Sequence, residues 1–362
     1  MYYYRVADLT LRSVFLLKSF SAFACEEAEP DVILEETDEL PPAGKDQHSG
    51  EVTHRQIPDG WFFHPRRNDR LGLYVNRDYT RLRMLGMKGS EIVGIAAWYV
   101  RIALECRLIR MGYLSLHSAA VELDGESIAF TGPSGMGKST RADTMIRHMG
   151  AKLINGDRPL ISVRDLVLYG VPWDGKEQCF RNVRFPLKAV CEVRRSASVY
   201  IRALGYNQRR RLLMQQSFIP MWDTETAMLQ MANISRFARS AEIVRAFSGP
   251  EEADIRALYD ALRKQKYLKE EPDMKANPGF VLRNVVGEYV LMPTGDNIGK
   301  FQGTVLLNEV SALVWEKLQS PVSKEDLLNA VLDEFEVEKA VASADLDVLL
   351  ETLRGYNLIV DD

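Results

Sequence analysis

One stretch carries glycines, a lysine and hydroxyls at a spacing that can hold phosphate: Gly132-Pro133-Ser134-Gly135-Met136-Gly137-Lys138-Ser139-Thr140. The pattern G-x-x-x-x-G-K-[ST] needs its glycines because the backbone must fold back until several N–H groups point into one anionic concavity. Lys138 then reaches the β/γ-phosphates of a nucleotide and the Ser139 hydroxyl holds Mg²⁺. Glu126 to Phe130 ahead of it reads as a buried strand, and Arg141 to Met149 after it as a helix whose positive end faces the phosphates. Strand, glycine loop and helix follow in the order that a nucleotide site requires.

Other titratable groups are weighed against that loop. Lys152-Leu153-Ile154 reads as a short strand ending at Asn155-Gly156-Asp157-Arg158. A carboxylate at the end of a strand beside a phosphate loop suits a Mg²⁺ ligand or a base, so Asp157 is the first acid to consider; a plain turn aspartate before Arg158-Pro159 is the alternative. His117, taken alone, is equally a core histidine bonded to backbone. The loop Tyr169 to Glu177 packs glycines, Trp173 and Lys176 as a lid or substrate loop does, or as a surface turn. Arg181, Arg184, Lys188, Arg194, Arg195 and Arg209 to Arg211 could help hold a triphosphate, although any single one suits a solvated surface. His48, His54 and His64 have no ligand spacing and read as solvated loop histidines. The four cysteines form no C-x-x-C pair, which points to reduced thiols, a cytoplasmic protein and neither zinc nor disulfides.

These groups must be positioned by a large chain of 362 residues, 46% apolar, enough for two or three domains. Neither apolar run, Ser13 to Cys25 or Ile92 to Val100, approaches the roughly 20 residues that span a bilayer. Residues 1–110 read as a β-rich region, with strands in Tyr2 to Leu11, Asp31 to Glu36, Trp61 to Pro65 and Leu71 to Leu85, a mobile loop over Glu39 to Glu51, and a closing helix from Ser90 to about Arg110. Residues 111–268 form the glycine-loop domain: strands at Tyr113 to Leu116, Ala119 to Leu123 and Ser127 to Thr131 with an Asp124-Gly125 hairpin, and helical pattern from Arg211 to Leu268 broken once at Ser248-Gly249-Pro250. Residues 269–280 read as a linker. Residues 281–362 form a compact module, two or three strands followed by helices capped at Asn308 and Ser323 and a closing strand at Leu358-Ile359-Val360. The order is winged-helix-like, yet 6 Lys/Arg against 15 Asp/Glu, a net of −9, argues against nucleic acid, whose binding draws on cations. An exposed strand edge of such a module can pair with an extended peptide instead.

With these residues in hand, Tyr113 to Val193 resembles the catalytic core of the HPr kinase/phosphorylase family. The matching features are Leu116-His117-Ser118, the Gly132 to Thr140 loop, the Asn155-Gly156-Asp157 turn and Pro172-Trp173-x-Gly175-Lys176. The resemblance implies an α/β fold, ATP and Mg²⁺ as cofactors, Asp157 as general base toward a serine hydroxyl and metal-side acid, His117 as its support, and Lys138 at the transferring phosphoryl group. The family's true kinases carry two adjacent aspartates where this chain has Gly156 before Asp157. That puts the reverse, phosphorylase reaction in doubt and leaves Glu177 or Glu192 to serve as a second metal-side acid. The family's kinases assemble as hexamers, and no residue here decides whether this chain is a homo-oligomer.

Residues Val281 to Asp362 resemble the PqqD family of peptide-recognition modules, on the paired strands, Leu307-Asn308 leading into Val314-Trp315-Glu316, and Gly355 before the last strand. That resemblance implies a leader peptide held as an added strand. The expected protein is therefore an ATP-dependent kinase of a serine in a ribosomally made precursor peptide, delivered by its leader. Two other readings remain at this stage: a kinase of a small metabolite or free amino acid, and a nucleotide-gated peptide chaperone that transfers no phosphate.

Overall fold

The structure is a computed structural model; it describes residues 1–49, 52–66, 68–87, 91–173, 181–196, 198–269, 274–285, 287–298 and 305–361. The readings of Ser90, Gly175, Lys176 and Glu177, and most of the expected Phe301 to Leu306 strand, lie outside the described residues. The chain divides into two compact units, Met1–Lys269 and Glu270–Asp362.

The first unit begins with an eight-stranded sheet. Its spatial order is Tyr2–Val6, Leu9–Ser13, Val32–Thr37, Arg81–Leu85, Gly72–Asn76, Gly60–Phe63, Val52–Ile57 and Asp46–Ser49. The expected mobile loop over 39–51 thus contains an edge strand, paired to the next through Asp46↔Arg55 and His48↔Thr53. It escaped the sequence reading because D-Q-H-S has no apolar alternation; an edge strand needs none. The same pairing buries two histidines expected in solvent. His54 faces Phe63 across the ladder, and His64 places Nε2 3.2 Å from Asp46 Oδ1. Burial pulls the His54 pKa down.

The closing helix runs over Gly94–Arg110, starting later than the sequence suggested, because Glu91–Ile92 pairs as a strand with Leu16–Leu17. It is buried on several faces, with Tyr99, Val100, Ala103, Leu104 and Cys106 all inside. Its core joins Leu73, Val75, Leu82 and Met84 of the sheet to Tyr113, Leu160, Tyr169 and Val171 of the following region. One apolar core crossing residue 110 explains why the expected boundary there is not a boundary between compact units.

Beyond the helix lies a ten-stranded sheet. Four successive strands of it run Arg184–Arg195, Glu126–Thr131, Ser118–Leu123, Lys152–Asn155, the last at its edge. Alternation along these strands sorts the two faces. Val121, Ile128 and Phe130 pack under helices Lys138–Met149 and Glu252–Arg263, while Ala120, Ala129 and Val190 pack under Tyr206–Gln216 and Thr224–Ser240. The expected helical stretch from Arg211 to Leu268 is corrected here. Ile243–Ser248 is a fully buried strand parallel to Arg184–Arg195, and Tyr267–Lys269 is another strand. A run buried on both faces shows no period of two, so it was indistinguishable from a helix segment.

In the second unit, Phe280–Val285, Glu288–Pro293 and Val305–Leu307 form an antiparallel sheet. Helices Glu309–Lys317, Lys324–Glu334 and Lys339–Gly355 enclose Trp315, Leu318, Leu327, Leu346 and Leu350. The first two start where expected, with Asn308 accepting from Ser311 N and Ser323 from Asp326 N. The expected linker is overturned in part: Met274–Ala276 is a strand paired with the closing strand Ile359–Asp361, its Met274 fully buried. Among the described residues, no helix is long and apolar enough to cross a membrane.

Candidate functional site

Strand register brings the sequence-predicted residues to one end of the larger sheet. Ser118↔Thr131 and Ala120↔Asn155 are cross-strand partners, both antiparallel. His117 therefore enters the sheet where the glycine loop leaves it and where Asp157 follows its own strand. The segments are tied directly: Thr131 Oγ1 donates to His117 O (2.8 Å), and Ser118 N donates to Asp157 O (2.8 Å).

The loop itself takes the backbone shape that its glycines allow. Gly132, Gly135 and Gly137 sit at φ 134°, 80° and 89°, and Gly137 precedes a helix that starts at Lys138. A Cβ on Gly137 would lie 2.7 Å from Arg141 Nη1. Pro133, Ser134, Ser139 and Thr140 are exposed, while Met136 and Lys138 are half-buried. Lys138 Nζ spans the loop, donating to Gly132 O (2.8 Å) and Pro133 O (3.2 Å). Burial lowers the Lys138 pKa, and the Asp157 charge opposes that shift, so the two groups share one electrostatic field.

Asp157 is held in place from two sides. His117 Nδ1 lies 3.0 Å from its Oδ1, and this bond is the largest cause holding the carboxyl below its ordinary range; burial opposes it, and the charges of His117, Arg158 and Arg101 add to the lowering. The Asn155 side chain orients the turn. Its Oδ1 accepts from Asp157 N (3.0 Å) and Arg158 N (2.8 Å), while Nδ2 donates to Trp173 O (3.1 Å). Asn155→Ala would leave these groups unpaired in a fully buried position. A loss of about 1–3 kcal/mol in chemical unfolding is expected, and an unchanged denaturation midpoint would show that the turn holds itself.

Glu192, offered by sequence as a second metal-side acid, does not have a free carboxylate. Its Oε1 accepts from Arg194 Nη2 (2.9 Å) and its Oε2 from Arg245 Nε (2.8 Å), at 6% exposure. Strand pairing of Glu192 with Arg245 forces that arrangement. Glu177 lies outside the described residues. The expected cationic cluster also disperses: Lys188 pairs with Glu126, Arg181 reaches Leu153 O, and Arg209 reaches Leu204 O and Ala241 O. Arg195 does bond the glycine loop, donating to Gly135 O (2.7 Å). Among the described residues, no three His, Cys, Asp or Glu side chains gather as a metal cluster. Ser139, on the exposed first turn of the helix, and Asp157 remain the groups that fit Mg²⁺ held jointly with phosphate oxygens.

Two features escaped the sequence reading. Arg141, buried in the loop helix, donates to Met136 O, Gly137 O, Arg194 O and Ser248 Oγ, clamping the loop onto the two neighbouring strand ends. His117 and Asp157 also open onto a cavity of about 490 Å³. Its other walls come from the Gly94–Arg110 helix, from Ser49 and Val52, and from the Phe218 to Trp222 turn. Arg101 lines it, and in the sequence it showed only as the residue that ends the Ile92 to Val100 apolar run.

Comparison with known proteins bears on the second unit. Residues 288–359 match the family described as Coenzyme PQQ synthesis protein D (PqqD), so this unit carries a PqqD-like domain. Among solved structures, "TbiB1 in Complex with the TbiA(beta) Leader Peptide" is similar at 21% identity, covering 24% of this chain and 93% of that one, with a TM-score of 0.21. No curated protein matches the chain.

Proposed function

We propose that the chain is an ATP-dependent kinase that phosphorylates a serine hydroxyl in a ribosomally made precursor peptide, whose leader the PqqD-like unit holds. The observation that carries the catalytic half is the His117–Asp157 pair lying at the same sheet end as the Gly132 to Thr140 loop. When bound, ATP and Mg²⁺ would supply the transferable phosphoryl group and neutralise its charge; the loop N–H groups, Lys138 and Ser139 suit the phosphates, and Ser139 with Asp157 suits the metal. A serine hydroxyl is a poor nucleophile near neutral pH, so a base must take its proton as the new O–P bond forms. Asp157 fills that role: its carboxylate accepts the proton, and His117 fixes the carboxylate's direction.

The charge state follows from the same geometry. Because Asp157 is held below its ordinary range, its pairing is complete above the unfolded value of about 4 and is lost as pH falls through the lower folded value. The base is therefore ionised throughout the neutral range. His117→Ala removes the largest cause of the lowering and leaves burial to raise the carboxyl. The acid limb of kcat/KM for phosphate transfer should move to higher pH in this variant; a limb that stays in place means that the pair does not set it.

The leader half is supported by the PqqD-like match and by an open sheet edge. Val305–Leu307 pairs on one side with Glu288–Pro293; no other strand pairs with it among the described residues, and Leu306 is exposed. An extended leader could add there as a strand, with backbone bonds supplying affinity. Transfer of labelled γ-phosphate from ATP to a leader-bearing peptide is the direct test, and absence of transfer to any such peptide would remove the kinase reading.

A further inference from the structure

We infer that the 490 Å³ cavity beside His117 and Asp157 is a selectivity pocket for a large apolar side chain adjacent to the acceptor hydroxyl. The inference rests on the kinase reading and adds what the acceptor must look like. None of residues 132–140 lines the cavity, so a nucleotide on the glycine loop would leave it free. Its polar end holds the proposed base, and its volume falls within the roughly 300–1,000 Å³ typical of ligand sites.

The lining decides the chemistry. Trp98, Ile102, Phe218, Ile219 and Trp222 form an apolar wall, while Arg101 and Arg158 are matched in number by Glu105 and Asp157. Among the described lining residues the charged groups face one another, Arg101 beside Glu105 and His117 against Asp157, whereas the wall rewards apolar burial. Arg101 approaches Glu105 at 3.4 Å, and Glu105 in turn accepts from Ser115 Oγ (2.7 Å), which keeps this carboxylate turned toward its own partners.

The wall is also built to hold its shape. Trp222 Nε1 donates to Tyr79 OH (3.2 Å), and Tyr79 OH donates to Asp223 (3.1 Å), which caps the Thr224–Ser240 helix through Glu225 N and Thr226 N. Trp222 also meets Phe63 edge-on, and Tyr79 stacks on Trp61. Side chains fixed in this way discriminate by size, because a poor fit cannot be relieved by rotation.

The test uses the full chain and two readouts. Leader-bearing peptides differing only beside the serine, with Phe, Leu, Gly, Asp or Lys, are compared by kcat/KM. Phe and Leu should exceed Gly, Asp and Lys by roughly tenfold or more. Binding of acetyl-Phe-Ser-amide and acetyl-Gly-Ser-amide is followed separately by tryptophan fluorescence, since Trp98 and Trp222 line the cavity. Ile102→Phe, or Ser49→Phe should the buried substitution fail to fold, fills the space and should abolish the Phe preference in both readouts. Equal rates across the series, or a preference that survives both fillings, overturns the pocket and leaves the kinase standing. Phe-selective probe binding that the fillings remove, with no transfer to any peptide, supports the pocket and removes the kinase.

Discussion

Asp157→Asn should lower phosphate transfer by roughly 10²–10⁴-fold, the range that a positioned general base contributes. The substitution isolates proton acceptance. Asparagine keeps the side-chain shape, and its carbonyl can still accept from His117 Nδ1, so the turn set by Asn155 should survive. What it cannot do is take the proton of the attacking hydroxyl. Single-turnover transfer of labelled phosphate separates this step from nucleotide binding, which equilibrium titration with a non-hydrolysable analogue reads independently. Transfer within about threefold of the unaltered chain would sink the assignment, because a turn aspartate with no catalytic role predicts that outcome. A loss of binding with unaltered single-turnover rate would instead make Asp157 a metal-side group only.

The same experiment divides the competing readings. A nucleotide-gated chaperone has no transfer for Asp157 to support. A metabolite kinase would show the Asp157 effect equally on free serine and on peptide. The loop geometry alone cannot separate them, since Lys138 and its glycines serve any nucleotide-binding protein. His117 and Asp157 at the same sheet end, with a separate cavity behind them, favour transfer to a second bound molecule.

Much of the fold was legible in the sequence where the signals are local. Asp124 and Gly125 at φ 54° and 79° are the hairpin turn that an Asp-Gly pair announces, and the glycine loop needs no distant contact to be recognised. What was hidden depends on pairing across long separations. Nothing in D-Q-H-S marks a strand until Val52–Ile57 lies beside it, and His54 and His64 are buried against groups distant in sequence, His54 beside Trp222 and His64 on Asp46. Glu192 reads as an available acid until strand pairing sets Arg245 beside it. That residue 110 does not divide compact units has a related reason: the Gly94–Arg110 helix carries apolar residues on faces that serve both neighbours, and one-dimensional periodicity cannot say how many partners a face has. Arg101 belongs with these cases, its use visible only once the helix is placed beside Asp157.

Removing the leader from the substrate should reduce kcat/KM by roughly 10²–10⁴-fold, the gain that tethering gives a weak second contact. The reasoning starts from the division at Lys269: the proposed catalytic groups all lie in Met1–Lys269, whereas the PqqD-like match and the open Val305–Leu307 edge lie in Glu270–Asp362. A leader held by the second unit raises the concentration of the attached serine near the first without touching Asp157. Tethering therefore acts on kcat/KM at low substrate and fades as leaderless peptide is raised to saturation, where the proton transfer itself limits. Removing residues 270–362 should equalise leader-bearing and leaderless peptides at the slower rate, with leaderless turnover unchanged. Excess free leader should compete against the intact chain and have no effect on the shortened one. If the shortened chain still prefers the leader by more than about threefold, the leader is read by the first unit, and the PqqD-like unit has another task.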